Sequence, residues 1–223
     1  MFTVSQRILY EDNHLIAVHK LPGELSQGDA SGDVTLGDMV KQYLKEKYAK
    51  PGDVFLGVIH RLDRPVSGVI LFARTSKALD RMNTQLRERR LHKQYLALVA
   101  QAPPHSGGTL VHYLRKNGYK NITRAWNQER PGSRRSVLHY KVIRRCGQFF
   151  LLEIHPETGR PHQIRVQLAQ MGCPIAGDVK YGFPRPLPDM SIALHAWKLT
   201  FEHPVKKETL SIEAPLPQLW ESL

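Results

Sequence analysis

The sequence predicts an α+β fold around a large mixed β-sheet. Many short apolar runs rich in Val, Ile, Leu and Phe suit strands, three segments repeat their apolar residues at helical spacing, and the helices are interspersed among the strands. At 223 residues the chain is long enough to bury a sizeable core as one large domain or two small ones.

The elements follow in order. Ile8–Tyr10 and Leu15–His19 are short strand candidates around the turn Glu11–His14. Residues 23–32, rich in Gly, Ser and Asp, form a loop. Leu36, Met39, Val40, Tyr43 and Leu44 mark a helix with Thr35 as its N-cap. Val54–Ile59 and Gly68–Ala73 suit buried strands, separated by the polar segment His60–Ser67. A second helix starts at Ser76. Leu79, Met82 and Leu86 form its apolar stripe, and Arg81, Arg87, Arg89 and Arg90 crowd its other faces and end.

Gln94–Ala100 is strand-like, and Pro103–Gly108 is a break and a candidate seam between sub-lobes of one domain spanning 1–223. Residues 115–135 read as the most basic loop, where Arg115, Lys116, Lys120, Arg124, Arg130, Arg134 and Arg135 face only Glu129, with Tyr119 and Trp126 interleaved. Val137–Arg144 and Phe149–Ile154 pair around Cys146-Gly147. A third helix starts near Pro161, buries Ile164, Leu168 and Met171, and stops at Gly172. Ser191–Phe201 and Thr209–Ala214 are the last strands.

Charge narrows the class of partner. The net charge is +12, and from His60 to Arg145 there are 19 Lys plus Arg against 4 Asp plus Glu, so all the excess lies in one central span. A solubilising surface accounts for some basic chains, but an asymmetry this one-sided favours a polyanion. No stretch approaches the ~18 apolar residues of a membrane span, and the first residues, Met1 to Arg7, do not read as a secretory signal. Two cysteines, Cys146 and Cys173, make no disulfide framework and suit a reducing cytoplasm. Of the 11 histidines, His105/His112 and His155/His162 are each seven apart, without the close spacing of a zinc motif.

Two polar segments carry the chemistry. In His60-Arg-Leu-Asp-Arg-Pro-Val-Ser-Gly68, Asp63 lies between Arg61 and Arg64 and between two apolar runs. Neighbouring arginines favour the charged form of a carboxylate, which is what a nucleophile needs. A turn acid neutralised by Arg61 and Arg64 accounts for this segment equally well. In Glu157-Thr-Gly-Arg-Pro-His-Gln-Ile-Arg-Val-Gln167, His162 and Arg165 are three apart and share a helix face. A helix start carrying Thr158, Gly159, Arg160 and His162 suits a phosphate. Taken alone, an amphipathic helix with a solvated basic face is the simpler explanation.

Together the segments resemble the RluA-type pseudouridine synthases over nearly the whole chain. The resemblance rests on His60-Arg-Leu-Asp63 with Ser67-Gly68, Lys93-Gln-Tyr95, and Thr158-Gly-Arg160 with His162-Gln-Ile-Arg-Val166. Gly177-Asp178, Tyr181-Gly182 and Leu194-His-Ala196 extend it, and Lys20 with Pro22-Gly23 resembles the opening motif. It implies a mostly antiparallel sheet with a central active-site cleft, and isomerisation of uridine to pseudouridine in ribosomal or transfer RNA. It further implies Asp63 as the catalytic carboxylate, Arg165 as its pairing partner, Tyr95 against the uracil ring, and Arg61 near the RNA. Neither cofactor nor metal is implied. Arg64, Arg160, His162, Arg115, Lys116, Arg124, Arg130, Arg134 and Arg135 are the further candidates for binding a structured RNA. No membrane or obligate protein partner is expected, and a monomer is the default.

Three features depart from the family pattern. Val66 stands where the family commonly has Thr, Leu21 separates Lys20 from Pro22 so that Lys20 takes no role, and no N-terminal S4-type domain is expected. The competing readings are a non-catalytic RNA-binding or assembly protein on the same fold and a hydrolase with paired carboxylates. The first must tolerate loss of Asp63, Tyr95 or Arg165, all present. The second needs another acid in a matched motif, and Asp80, Glu88 and Glu129 lie in none.

Overall fold

A computed structural model describes residues 3–28 and 32–222; residues 29–31 of the expected 23–32 loop, and Met1 and Phe2, lie outside them. The strands are β1 (Ile8–Glu11), β2 (Leu15–Lys20), β3 (Gly57–Val58), β4 (Ser67–Ala73), β5 (His92–Val99), β6 (Gly107–Asn117), β7 (Ile122–Trp126), β8 (Arg134–Cys146), β9 (Phe149–Pro156), β10 (Leu194–Glu202) and β11 (Thr209–Glu213). The α-helices are α1 (Leu36–Lys47), α2 (Ser76–Arg87) and α3 (Gln163–Gln170). The fold is α+β with mostly antiparallel pairing, as the sequence predicts. It divides into two compact units, 1–93 with 196–216, and 94–195 with 217–223. The seam expected at 103–108 falls inside the second unit instead. That break is a turn feeding directly into β6, which pairs with β8 from Gly107 opposite Lys141.

In the first unit, β2 pairs with β1 on one side and with β4 on the other, β3 pairs with β4, and β10 with β11. Side-chain alternation sends Ile16, Val18, Ile70 and Phe72 to one face, where Leu36, Val40 and Leu44 of α1 cover them. Leu15, Ala17, Val69, Leu71 and Ala73 take the other face, against Ala78 and Met82 of α2. With apolar cover on both sides every residue of β4 is buried, so its sequence is a continuous apolar run.

The helix starts are local. Thr35 Oγ1 accepts from the Asp38 amide at 3.1 Å while the Asp38 carboxylate accepts from the Thr35 amide at 3.1 Å, a reciprocal capping box. Thr75 caps α2 through the Ala78 amide at 3.1 Å. Of the Val54–Ile59 run only Gly57–Val58 is strand. Val54 and Ile59 are buried by side-chain packing rather than by ladder pairing.

The second unit has strand order β5-β9-β8-β6-β7, with antiparallel pairs throughout. Of the basic segment expected as a loop, residues 115–117, 122–126 and 134–135 are therefore strand. Its turn closes where Asn117 Oδ1 accepts from the amides of Tyr119 and Lys120 at 3.0 and 3.2 Å. Leu114 and Thr123 turn inward and are buried, while Arg115, Arg124 and Arg135 occupy the alternate, outward face.

Helix α3 also begins later than expected. Its N-cap is His162 in the left-handed conformation at φ 54°, so Pro161 precedes the helix. Its stop is as expected: Gly172 at φ +85° lets the Cys173 amide reach Leu168 O at 2.9 Å and its own amide reach Ala169 O at 3.0 Å.

Gly68, the second residue of β4, lies directly after the polar segment at φ +126°, and a Cβ there would lie 2.2 Å from the backbone oxygen of Ala196. We expect Gly68→Ala to lower unfolding stability by more than about 3 kcal/mol, from positive φ and backbone clash together. Urea unfolding checks this, and a midpoint equal to wild type would contradict it.

Candidate active site

In the first unit, the segment holding Asp63 is clamped from beneath. Lys20 ends β2 on the same face as Ile16 and Val18, and none of its surface is exposed. Its Nζ donates to Leu21 O at 3.1 Å, Arg64 O at 3.0 Å and Val66 O at 2.7 Å. Burial draws its pKa down to about 7, against the opposing pull of the Glu24 and Asp63 carboxylates. Ser26 Oγ donates to Leu62 O at 2.8 Å and accepts from the Leu62 amide at 3.2 Å, fixing the residue before Asp63. Within the turn, the Val66 amide donates to Asp63 O at 3.0 Å. The half-buried Asp63 thus sits on a segment whose backbone is held at Leu62, Arg64 and Val66. Val66 holds its place through main-chain groups and a buried side chain, 2% exposed, so a hydroxyl is not needed there.

The flanking arginines reach outward. Arg61 Nη1 donates to Gln27 Oε1 at 3.2 Å. Arg64 donates from Nε to Gly23 O at 3.0 Å and pairs with Asp33 at 2.9 Å. They tie Gly23, Gln27 and Asp33 to the Asp63 segment.

At the start of the segment, His60 is buried, and its Nε2 accepts from the Leu71 amide at 3.2 Å. That bond puts the ring proton on Nδ1. Burial, with the Lys93 ammonium nearby, holds the His60 pKa well below the usual histidine value.

In the second unit, α3 buries every residue from Gln163 to Leu168. It is not an amphipathic helix with a solvated basic face, because Gln163, Arg165 and Gln167 turn inward and bond within the protein. Gln163 Oε1 accepts from Thr158 Oγ1 at 2.8 Å and the Arg160 amide at 3.0 Å, and its Nε2 donates to Val137 O at 3.0 Å. Gln167 Nε2 donates to Leu110 O at 3.1 Å. Arg165, 5% exposed, grips Asp178 with two bonds, Nε to Oδ2 at 2.7 Å and Nη2 to Oδ1 at 2.8 Å. Its guanidinium also lies 5.1 Å from the Tyr181 ring centre. The Tyr181 hydroxyl meets His162 Nδ1 at 2.7 Å and accepts the Thr123 amide at 2.9 Å, and burial raises its pKa.

Each predicted site residue has a defined place. Asp63, Arg61 and Arg64 belong to the first unit, and Tyr95 and Arg165 to the second. Tyr95, 9% exposed, pairs across β5 and β9 with Ile154. His162 is turned inward onto Tyr181, whereas Arg160 is exposed. Arg115, Lys116, Arg124, Arg130, Arg134 and Arg135 are all exposed. Lys20, Ser26, Asp178 and Tyr181 received no role from the sequence. The signal for Lys20 was its period-two register with Ile16 and Val18. Among the described residues, no three of His, Cys, Asp and Glu converge as metal ligands, and no helix is long and apolar enough to cross a membrane.

The architecture matches solved pseudouridylate synthase domains. Human RNA Pseudouridylate Synthase Domain Containing 4 superposes with a TM-score of 0.81 at 23% identity, over 97% of this chain and 91% of that one. For human RNA Pseudouridylate Synthase Domain Containing 1 the TM-score is 0.74 at 25% identity, over 95% and 83%. Fold and motifs together define a pseudouridylate synthase domain.

The family model described as RNA pseudouridylate synthase matches residues 14–170. An uncharacterized RNA pseudouridine synthase of Synechocystis sp. is 33% identical over 97% of this chain and 67% of that protein. Ribosomal large subunit pseudouridine synthase C of Escherichia coli is 36% identical over 95% and 66%, and synthase D of Xanthomonas campestris is likewise 36% identical over 95% and 66%. This chain therefore belongs to the RNA pseudouridylate synthase family, in its RluA-type branch, and is an isomerase by class. It spans about two thirds of the length of these relatives (67%, 66% and 66%).

The burial of His60 has a measurable consequence. Below the usual histidine pKa of 6.5 the unfolded chain binds a proton that the folded chain refuses, so stability is full above that pH and falls as pH drops. We expect His60→Gln to remove up to about 1.4 kcal/mol per pH unit of this dependence below pH ~6.5. Urea unfolding of both proteins between pH 5 and 7 reads it out, and parallel curves would show that His60 is not the group refusing the proton.

Proposed function

We propose that the protein isomerises specific uridines to pseudouridine in ribosomal RNA, with Asp63, Tyr95 and Arg165 as its catalytic residues and no cofactor. The observation that carries this reading is the clamp on the Asp63 segment. Lys20, Ser26 and the turn within 63–66 fix its main chain while Asp63 itself stays half-exposed. A positioned carboxylate at the end of a rigid support is what covalent assistance requires.

The reaction breaks the N1–C1′ bond, turns the uracil, and joins C5 to C1′; the hydrogen on C5 leaves to solvent as a proton and N1 takes one up. Asp63 assists as a nucleophile, toward the ring or toward the sugar. Tyr95 lies against the base. No redox agent or energy source enters the balance, since reactant and product are isomers. The target base must leave its stack, at a cost of a few kcal/mol, and phosphate contacts from Arg61, Arg64, Arg160 and the basic strands offset it. The relatives named for the large ribosomal subunit favour ribosomal over transfer RNA. The unpaired Cys146 and Cys173 support a cytoplasmic setting. The competing non-catalytic RNA-binding protein would have no use for a clamped carboxylate.

Asp63→Asn is expected to fold and to bind RNA nearly as wild type, with no detectable turnover. Tritium release from 5-tritiated ribosomal RNA transcripts measures this, and near wild-type release by the Asn variant would remove Asp63 from the mechanism. Neutralising Arg130, Arg134 and Arg135 together is expected to weaken RNA binding and to flatten the plot of log affinity against log salt by about 2. An unchanged slope would take these residues out of the RNA interface.

A further inference from the structure

The outward face of β6, β7 and β8 carries a pattern that the isomerisation itself does not use. Tyr113 of β6 stands opposite Arg135 of β8 on one side and Trp126 of β7 on the other, so the three lie abreast in one row. In the next row on the same face Arg115 and Arg124 stand directly opposite each other. The Arg115 guanidinium lies 5.5 Å from the Trp126 ring centre and donates to Pro131 O at 2.8 Å. Like charges placed directly across a strand pair cost stability. From Gly107 to Arg135 the sequence offers them a single acid, Glu129.

Beside this face, along the outer edge of β7, runs a groove of about 310 Å³, with Trp126, Arg124, Lys180, Tyr181 and Gln170 among its walls. The Thr123 amide points into this edge and meets the Tyr181 hydroxyl at 2.9 Å. By strand alternation the amide and carbonyl of Ala125, which also lines the groove, face the same edge. The site therefore offers an aromatic ring, a peptide donor and acceptor side by side, and cations at its rim.

We propose that this face and groove form a subsite for an unpaired RNA nucleotide other than the uridine being isomerised. Its base stacks on Trp126, and Arg115, Arg124 and Lys180 take the flanking phosphates. Unpaired bases expose the faces that aromatic and guanidinium groups stack on, whereas bases within a duplex hide them. The opposed arginines then share the negative charge of the strand between them. The inference rests on RNA being the substrate, as proposed above.

The test is the anisotropy of a fluorescein-labelled single-stranded oligoribonucleotide of about ten nucleotides, alone and annealed to its complement, with tritium release measured in parallel. Trp126→Ala is expected to weaken single-strand binding about tenfold, leave duplex binding close to wild type, and keep the salt slope, since no phosphate contact is lost. Arg124→Gln should instead lower the slope by about one. Trp126→Phe retains a ring and most of the affinity. Trp126→Leu, which keeps apolar bulk without a π face, should behave as the Ala variant and guards against a folding defect. In wild type the single strand should quench the part of the tryptophan emission that Trp126→Phe lacks. Wild-type single-strand affinity in both the Ala and Leu variants, or equal weakening for single strand and duplex, overturns the subsite while turnover leaves the isomerase reading standing. A wild-type protein that neither binds RNA nor releases tritium overturns both.

Discussion

The ammonium of Lys20 has no exposed surface, and it donates to the carbonyl oxygens of Leu21, Arg64 and Val66. Burying a charge is expensive unless it is fully paired, so the segment that supplies those carbonyls is held where the cation needs it. The charges of Glu24 and Asp63 offset part of the cost of burial. A neutral amine has only two N–H groups for three acceptors, so the grip is complete only while Lys20 keeps its proton. Gly68 sits opposite Lys20 across β2 and β4, in a conformation and at a distance from Ala196 that exclude any side chain. The Asp63 segment is thus fixed by one buried lysine at its base and one obligatory glycine at its exit. The two apolar layers around β2 and β4 hold both in register.

The second unit uses the same device with different groups. Arg165 is buried with Asp178 in a two-bond pair, the Tyr181 ring covers the guanidinium, and the Tyr181 hydroxyl ties His162 to the edge of β7. Breaking a buried pair of this kind by removing one partner typically costs about 3–5 kcal/mol. Each polar group in this chain of contacts therefore constrains the next. The chain runs from α3 through the turn at Val179–Tyr181 to β7, so the helix bearing Arg165 and the strand bearing Trp126 share Tyr181 as a common support.

Much of this was legible in the sequence where the determinants are local. Thr35 and Gly172 set helix ends through bonds within a few residues, and each stands where the sequence places it. The unbroken apolar run of β4 announces a strand covered on both faces. Lys20 was illegible because its partners Arg64 and Val66 lie 44 and 46 residues further along the chain. The polarity of α3 suggested a solvated face, but Gln163 and Gln167 reach acceptors on β8 and β6 that no helical period reveals. The basic stretch after Arg115 was read as loop because its charges hide a strand alternation whose inward members, Leu114 and Thr123, are few.

The family fixes the class of chemistry, and we propose that the clamped carboxylate of Asp63 carries it. Pseudouridine mapping of total RNA, by carbodiimide adduct and reverse transcription, from cells with and without the gene tests the central claim most directly. The account predicts that one or a few stops in large-subunit ribosomal RNA disappear in the deletion and return when the gene is restored. An unchanged pattern of stops throughout ribosomal RNA would contradict it.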